Sequence, residues 1–133
     1  MISSEITYRV LYAHTDIMGV ANNERYLEYF EAGRNELLRT TGYSYKEMEK
    51  ENIGLPVIEA HCKYIKPAYY DDIIKIKAYL KNLPTVRMKI DYELFVEDKL
   101  IAEGYTIHSF VKLTGLKPVR PPEHFLKLLK SKI

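Results

Sequence analysis

The sequence predicts an α+β domain in which a curved antiparallel sheet is wrapped around one long central helix. A stretch from Asn23 to about Thr41 has the spacing of an amphipathic helix. Four stretches after it alternate as β-strands do, and short turn signals separate them. With 133 residues the chain is long enough for one core, so a single domain over residues 1–133 is expected.

Composition narrows the class of protein. Hydrophobic residues make up 47% of the chain and charged residues 29%, which is typical of a packed globular protein. The net charge is only +2, and the scattered basic residues give little reason to expect nucleic-acid binding. The N-terminus lacks the pattern of a signal peptide, and no stretch approaches the roughly 18 apolar residues of a membrane span. We therefore expect a cytoplasmic protein, and the single Cys62 excludes an internal disulfide.

The first elements lead into the long helix. A strand is predicted over Thr7–Tyr12, which is rich in β-branched and aromatic residues and ends before a polar loop. Asn22 or Asn23 is predicted to cap the helix, and Gly42 to end it. Gly33 interrupts the helical pattern at a cost of up to about 1 kcal/mol, which indicates that a sheet packs closely against the backbone there. The apolar stripe of this helix consists of Tyr26, Leu27, Phe30, Gly33, Leu37 and Leu38.

After a short helix over Tyr45–Glu51, the chain is predicted to be mostly β. Four strands are expected at Leu55–Ile65, Ile73–Leu80, Thr85–Phe95 and Ile101–Lys112. Turn signals at 67–72, 82–84 and 97–99 predict hairpins that join these strands in sequence order as a meander. The second and third strands alternate apolar and charged residues, so one face of the sheet should be buried. The last strand is apolar on both faces, which favours contact with another subunit, and a final amphipathic helix opens at Pro121-Pro122-Glu123.

The segment with the most chemical information is the polar loop from Thr15 to Asn23, which leads into the long helix. A helix N-terminus offers free N–H groups and a partial positive charge, which can polarise a carbonyl or hold an oxyanion. A carboxylate beside it, such as that of Asp16, can attack the carbonyl or activate a water molecule. Acyl transfer to water requires this pair of groups. The local sequence is also consistent with an aspartate that only caps a turn and a Gly19 that only permits a tight backbone.

Two motifs in the chain are similar to those of a known family. The first comprises Asp16-Ile17-Met18-Gly19, Asn22-Asn23, Tyr26-Leu27, Tyr29-Phe30-Glu31 and Arg34, and the second comprises Tyr64-Ile65-Lys66-Pro67-Ala68 and Tyr70-Asp71-Asp72. Together they resemble the 4-hydroxybenzoyl-CoA thioesterase family, and its bacterial acyl-CoA thioesterases in particular. The resemblance covers most of the chain and implies the hotdog fold, in which a curved sheet covers one long central helix.

The resemblance also implies a reaction. The expected activity is hydrolysis of an acyl-CoA thioester to a free acid and CoA, with Asp16 as nucleophile or general base. The backbone N–H of Asn23 would polarise the thioester oxygen, and Gly19 would let the loop approach the acyl group. The family implies a homotetramer built from hotdog dimers, with no metal and no cofactor beyond the CoA of the substrate. Several relatives place a catalytic histidine where this chain has Asn23, so that mechanism is excluded.

Other polar residues near the loop are weaker candidates for auxiliary roles. Tyr12 could direct a hydroxyl towards the site, although a tyrosine at a strand end more often belongs to the core or rim. His14 could orient Asp16, although a loop histidine is more often solvated or bonded locally. Glu31 lies on the central helix, where another hotdog thioesterase group has its catalytic glutamate, but we expect it to pair with a cation here.

The sequence does not predict a metal site, and it offers only scattered candidates for a phosphate-binding site. The histidines at positions 61, 108 and 124 are too dispersed to predict a metal site. The phosphates of CoA need basic partners, although each basic residue on a strand is more often solvated. The candidates for phosphate binding are Lys63, Lys66, Arg87 and Lys89.

Three alternatives stay open from the sequence. Hotdog domains include dehydratases and hydratases of acyl thioesters, although the Asp-His or His-Glu pair that these usually carry is not evident. A hotdog protein can also bind acyl-CoA as a sensor without cleaving it, but such regulators usually add a DNA-binding segment. Finally, acyl carrier protein could deliver the acyl group instead of CoA.

Overall fold

The computed structural model describes residues 1–133 and contains a five-stranded antiparallel sheet against one long helix. The helices are α1 (Arg25–Thr41), α2 (Tyr45–Lys50) and α3 (Glu123–Lys132). The sheet consists of β1 (Ile2–Arg9), β3 (Val57–Tyr64), β4 (Ile73–Leu80), β5 (Arg87–Val96) and β6 (Lys99–Ser109). A separate two-stranded sheet pairs β2 (Ile53–Gly54) with β7 (Val111–Lys112). The predicted α+β hotdog arrangement is confirmed.

The strand order is β1-β4-β5-β6-β3, with antiparallel neighbours throughout. β4, β5 and β6 form the predicted meander, but the predicted hairpin between β3 and β4 is wrong. β3 pairs with β6, so the segment 65–72 crosses the sheet from the edge strand β3 to β4, which lies beside the opposite edge strand β1. At its start, the N–H groups of Ile65 and Lys66 both donate to the Ile101 carbonyl. The turn residues in this segment therefore belong to a crossover, which a local turn pattern does not distinguish from a hairpin.

β1 begins and ends earlier than predicted. The strand that was expected over Thr7–Tyr12 lies at Ile2–Arg9, and Tyr12 belongs to a turn of 3-10 helix. The first half of this strand contains Ser3 and Ser4, which conceal its period-two alternation in the sequence. After the strand, the backbone of Val10 bonds to the end of the crossover segment, which directs the chain out of the β1–β4 pair.

α1 is the centre of the core. Its buried residues are Tyr26, Tyr29, Phe30, Gly33, Leu37, Leu38 and Thr41. Leu27 was predicted on this stripe, but its side chain is 46% exposed. Tyr29 takes its place because it lies three residues after Tyr26, on the same side of the helix. Twenty-five buried residues from the helices and from the inner face of the sheet form one continuous cluster.

The two ends of α1 differ in how well the sequence predicts them. Gly42 ends the helix with φ = 88°, as predicted. At the other end, Glu24 occupies the N-cap position and no side chain caps the helix, so the predicted capping by Asn22 or Asn23 is wrong. The carbonyls of these two asparagines instead accept the N–H groups of the first helical turn.

Gly33 allows the sheet to approach the helix backbone, as predicted. A Cβ atom at this position would lie 2.6 Å from Cγ2 of Ile76 and 3.6 Å from Cβ of Ala78, both on β4. Ile76 is fully buried and has no space into which it could withdraw. The carbonyl of Gly33 also accepts a hydrogen bond of 3.4 Å from the hydroxyl of Ser4 on β1.

A directional chain of hydrogen bonds crosses the core. Arg34 Nη1 donates to the hydroxyl of Tyr92 at 3.3 Å, and this hydroxyl lies 2.7 Å from that of Thr106. Nε2 of His108 lies 2.8 Å from the Thr106 hydroxyl, and Nδ1 lies 3.0 Å from the carbonyl of Leu55. A neutral histidine protonated on Nδ1 satisfies every one of these contacts. Burial lowers the pKa of His108 to about 4, which is consistent with the neutral ring.

The C-terminal part also follows the prediction in outline. The expected last strand is divided at Phe110, whose N–H donates to Val86 and whose carbonyl accepts the N–H of Val119. α3 begins at Glu123, directly after the two prolines, and buries Phe125. None of the three helices is both long enough and apolar enough to cross a membrane.

Gly33→Ala should destabilise the protein by about 1 kcal/mol, because a clash with Ile76 outweighs the higher helix propensity of alanine. The matched control is Asn35→Ala in the same helix, where the propensity gain of about 0.5 kcal/mol meets no such clash. Urea unfolding of the two variants should therefore give free energies of unfolding that change in opposite directions. Stabilisation by Gly33→Ala would show that the sheet can withdraw from the helix.

The free energy of unfolding should fall between about pH 6.5 and pH 4 because His108 is buried as the neutral ring. The unfolded chain takes up this proton near pH 6.5 and the folded chain only near pH 4, so stability is complete above pH 6.5. Above pH 6.5 the neutral His108 contributes about 3 kcal/mol to the free energy of unfolding, since each pKa unit corresponds to about 1.4 kcal/mol.

Urea unfolding at pH 7 and pH 5 measures this effect. His108→Gln should reduce the fall in the free energy of unfolding between these two pH values. His61→Gln changes an exposed histidine and should show the same fall as the wild type. An unchanged pH dependence in His108→Gln would contradict the assignment.

Candidate active site

The loop between β1 and α1 folds back on itself and presents Asp16. Thr15 and Ala21 form an antiparallel bridge across the loop. Within it, the N–H of Asp16 donates to the Val20 carbonyl at 2.9 Å, and the N–H of Gly19 donates to the Asp16 carbonyl at 3.0 Å. Gly19 has φ = 79°, and a Cβ atom there would have no neighbour within 4 Å. Glycine is therefore favoured for its backbone conformation, and the space beside it is open.

The two oxygens of the Asp16 carboxylate have different surroundings. Oδ1 accepts the backbone N–H of Met18 at 2.8 Å and that of Val20 at 3.4 Å. Oδ2 forms no hydrogen bond within the chain, and the residue is only partly buried. One oxygen therefore fixes the orientation of the carboxylate, while the other is free to act on a bound molecule.

Backbone hydrogen bonds hold this loop against the crossover segment. The N–H of Ala21 donates to the carbonyl of Ala68 at 2.8 Å, and Val20 forms a bridge with Tyr69. The N–H of Asn22 donates to the carbonyl of His14, also at 2.8 Å. The carboxylate and the start of α1 are thereby fixed relative to each other and to the sheet.

Two free N–H groups lie at the start of α1. Asn22 and Asn23 use their carbonyls to accept the N–H groups of Arg25 and Tyr26, at 2.9 and 3.2 Å. The N–H groups of Asn23 and Glu24 form no hydrogen bond within the chain, and both residues are exposed. The positive end of the helix dipole adds to their capacity to bind a negatively charged oxygen.

His14 is buried, so the solvated position, one of the alternatives left open by the sequence, is wrong. It is only 6% exposed, its ring is stacked 5.9 Å from that of Tyr8, and its Nδ1 lies 3.5 Å from the hydroxyl of Tyr29. Burial raises the pKa of Tyr29 to about 12, so this hydroxyl stays protonated. His14 is buried because it lies in an aromatic pocket between β1 and α1, which the loop sequence alone does not indicate.

The other two auxiliary candidates are exposed. The side chain of Tyr12 is 77% exposed, and its ring packs edge-on against Tyr70 at 5.6 Å. Glu31 lies eight residues beyond Asn23, which is about 12 Å further along the helix axis. It is exposed and forms no ion pair within the chain. The structure therefore does not bring Glu31 into contact with the Asp16 loop.

Two residues of β3 lie beside the helix start, and the sequence analysis predicted a site role for neither. Tyr64 donates its hydroxyl to the carbonyl of Asn23 at 3.1 Å and packs edge-on against Tyr26, with 4.9 Å between ring centroids. Cys62 is partly buried, and burial raises the pKa of its thiol to about 11, so it stays protonated. The signal for Tyr64 was the second sequence motif, which gave no indication of what the hydroxyl contacts.

On a single chain the Asp16 loop is open to solvent. Ile17 at its tip is fully exposed, and Met18 is 75% exposed. A cavity of about 470 Å³ lies on the outer face of the sheet, between Tyr79 and Tyr105, and does not include Asp16. No group of three or more His, Cys, Asp or Glu side chains is placed to hold a metal ion.

Comparison with known proteins associates the whole of this architecture with one enzyme class. The family model of the thioesterase-like superfamily matches residues 10–129. A protein of Aquifex aeolicus is 34% identical over 123 residues, which cover 92% of this chain and 94% of the relative. The acyl-CoA thioesterase YbgC of Haemophilus influenzae is 26% identical over 116 residues, covering 86% of this chain and 85% of the relative.

A solved structure agrees with the model over nearly the full chain. The DHNA-CoA thioesterase of Staphylococcus aureus superposes with a TM-score of 0.91 at 31% sequence identity. The match covers 99% of this chain and 89% of that protein. Residues 10–129, which the family model matches, include the Asp16 loop, the start of α1 and the crossover segment.

Proposed function

Because this chain belongs to the thioesterase-like superfamily, and is a thioester hydrolase, we propose that it hydrolyses an acyl-CoA at the Asp16 loop. One observation carries the proposal: a carboxylate with one free oxygen is fixed by backbone bonds beside two free N–H groups. Hydrolysis of a thioester needs a nucleophile or base on one side of the carbonyl and donors on its oxygen. Both requirements are met within the segment 16–24.

The carbonyl oxygen of the thioester would bind at the helix start. The N–H of Asn23 is the proposed donor, as the family resemblance implies, and the dipole of α1 strengthens it. As the carbonyl carbon becomes tetrahedral, its oxygen gains negative charge and this hydrogen bond shortens. Gly19, which has no side chain, leaves room for the acyl group next to the carboxylate.

Asp16 would act from the other side of the carbonyl, through Oδ2. As nucleophile it would form a mixed anhydride with the acyl group, expel the CoA thiolate, and be regenerated when water opens the anhydride. As general base it would take a proton from a water molecule that attacks the carbonyl directly. Both routes give the free acid and CoA, and both require an Oδ2 that is ionised and accessible to the reacting group. No cofactor takes part in either route.

The carrier of the acyl group is part of the proposal. Lys66, two residues after the end of β3, is exposed and forms no ion pair within the chain, so it suits a phosphate. Lys63 is also exposed and unpaired, but it lines the cavity on the outer face of the sheet, which does not include Asp16. Lys89 is less suited, because it lies 3.8 Å from Asp91 and 4.5 Å from the ring centroid of Tyr105. Acyl carrier protein stays an alternative carrier, and the cytoplasmic location stays a prediction.

We also propose that the working form contains at least two copies, which pair along β3. This strand is an edge of the sheet, and all but one of its residues, Cys62, are exposed. An eight-residue edge with apolar side chains such as Val57, Ile58 and Tyr64 is a template for another strand. Tyr64 also contacts the helix start, so a second copy at this edge would cover the open site. The family resemblance adds that two such dimers form a tetramer.

Asp16→Asn should lower thioester hydrolysis by at least about a hundredfold, because an amide is neither a nucleophile nor a base here. The asparagine keeps an oxygen for the N–H groups of Met18 and Val20, so the loop should keep its conformation. Thiol release from a panel of aromatic, short-chain and long-chain acyl-CoA, together with acyl carrier protein thioesters, measures the activity and identifies the acyl group.

Asp98→Asn is the matched control for this experiment. Asp98 lies in the exposed turn between β5 and β6, and its Oδ1 accepts a hydrogen bond from Lys75 Nζ at 3.2 Å, so the control makes the same change of side chain outside the site. Hydrolysis should survive in this control. Substantial turnover by Asp16→Asn would place the chemistry elsewhere, with Glu31 as the next candidate, and binding without hydrolysis by the wild type would favour an acyl-CoA sensor.

Two glutamates on β3 should dissociate the assembly. In Ile58→Glu/Ala60→Glu, antiparallel pairing of two copies would bring like charges together along the strand. Light scattering should give at least twice the monomer mass for the wild type and the monomer mass for the variant, with loss of hydrolysis. Leu113→Glu/Leu116→Glu adds the same charge to an exposed loop outside the sheet and should leave the mass unchanged. A monomeric wild type would reject the pairing.

A further inference from the structure

Tyr64 connects the edge strand β3 to the first turn of α1. Its hydroxyl donates to the carbonyl of Asn23 at 3.1 Å across 41 residues of sequence, and it is the only side chain with a hydrogen bond to the Asn22–Glu24 segment. This carbonyl also accepts the N–H of Tyr26 at 3.2 Å. It therefore has two donors, one from the helix and one from the sheet.

The strand that carries Tyr64 is well anchored at this point. Tyr64 pairs with Ala102 of β6, and the next two residues, Ile65 and Lys66, both donate to the Ile101 carbonyl. The ring of Tyr64 packs edge-on against the buried Tyr26, which in turn packs against Tyr29. The hydroxyl is thus held by a rigid strand on one side and by an aromatic contact on the other.

Besides Tyr64, one hydrogen bond from outside the helix holds its start, from the N–H of Asn22 to the carbonyl of His14. Glu24 occupies the N-cap without a side-chain bond, so the usual side-chain cap is missing. The peptide planes of residues 22–24 set the directions of the two free N–H groups at Asn23 and Glu24. A hydrogen bond at the Asn23 carbonyl restrains the second of these planes directly and, through the shared α-carbon of Asn23, the first. It also polarises the Glu24 N–H, which belongs to the same peptide unit as that carbonyl.

We propose that Tyr64 is a positioning residue, whose hydroxyl aligns the free N–H groups of Asn23 and Glu24 for the oxygen of the substrate. This inference rests on the proposed function and adds Glu24 as a second donor. Stabilisation of an oxyanion requires donors within 2.7–3.1 Å of the position that the oxygen reaches in the transition state, roughly a tolerance of half an ångström. No side-chain cap holds the peptide unit that carries the Glu24 N–H, and the bond from Tyr64 restrains this unit from the sheet.

Tyr64→Phe tests this inference, because it removes the hydroxyl and keeps the ring contact with Tyr26. The kcat for thioester hydrolysis should fall by about threefold to tenfold, as expected for one lost hydrogen bond, while KM stays within about twofold. Tyr79→Phe is the matched control: it removes a tyrosine hydroxyl that donates to Glu93 at 2.6 Å between β4 and β5, away from β3 and the helix start, and it should leave both constants unchanged.

Amide hydrogen exchange provides a second measurement that needs no substrate. In Tyr64→Phe, the N–H groups of Arg25 and Tyr26 should exchange several-fold faster, because the turn that they close has lost a restraint, while amides in the middle of α1 keep their rates. The control Tyr79→Phe should leave the exchange rates of the first turn unchanged.

The outcomes separate this inference from the proposed function. A lower kcat with faster exchange in the first turn supports positioning by Tyr64. A raised KM with unchanged kcat would make Tyr64 a substrate contact and would overturn the inference, as would unchanged exchange in the first turn. Absence of hydrolysis in the wild type would reject the proposed function, and the exchange experiment would still decide whether Tyr64 restrains the turn.

Discussion

The close approach of α1 to the sheet at Gly33 is the constraint on which the rest of the molecule depends. A side chain at this point would clash with Ile76 of β4, so a glycine allows the helix to approach the sheet this closely without strain. The same approach brings β1 within reach of the helix, where Ser4 donates to the Gly33 carbonyl. Because α1 begins at the Asp16 loop, the depth of this helix in the sheet also determines where its free N–H groups lie.

The sequence predicts those parts of the fold that follow a local periodicity. α1, the meander of β4, β5 and β6, and the final helix all have strong patterns, and the glycine in α1 correctly indicates close packing. The sequence does not predict the partner of each strand, because the residues of a local turn do not indicate which distant segments pair. β3 was therefore expected to pair with β4, and its pairing with β6 appears only in three dimensions. The start of β1 was missed because two serines interrupt its alternation.

In the candidate site, too, the sequence predicted local features and missed contacts between distant elements. The Asp16 loop was found from a carboxylate next to a helix start, and its bridge and backbone bonds are local features. The sequence left His14 either solvated, bonded locally or beside Asp16, but aromatic residues from β1 and α1 enclose it, and these residues lie on different elements. Tyr64 was part of a motif without an assigned contact, because only the fold brings β3 beside Asn23. Residues that support a site from another element are thus the ones that a single sequence indicates least.

The crossover that connects β3 to β4 also affects the order in which the chain assembles. β1 pairs with β4 from Ile2 with Leu80 to Arg9 with Ile73, so the N-terminal strand has no partner until the chain has grown past residue 80. The Asp16 loop depends on Ala68 and on the bonds between Val10 and residues 71–72 in the same region. Such long-range pairings slow folding, because the entropy of closing a long loop is lost before the contacts form. On a ribosome, which extends the chain by about 5–20 residues each second, the Asp16 loop would emerge several seconds before the segment that fixes it. The first part of the enzyme to be made is therefore among the last to take its working shape.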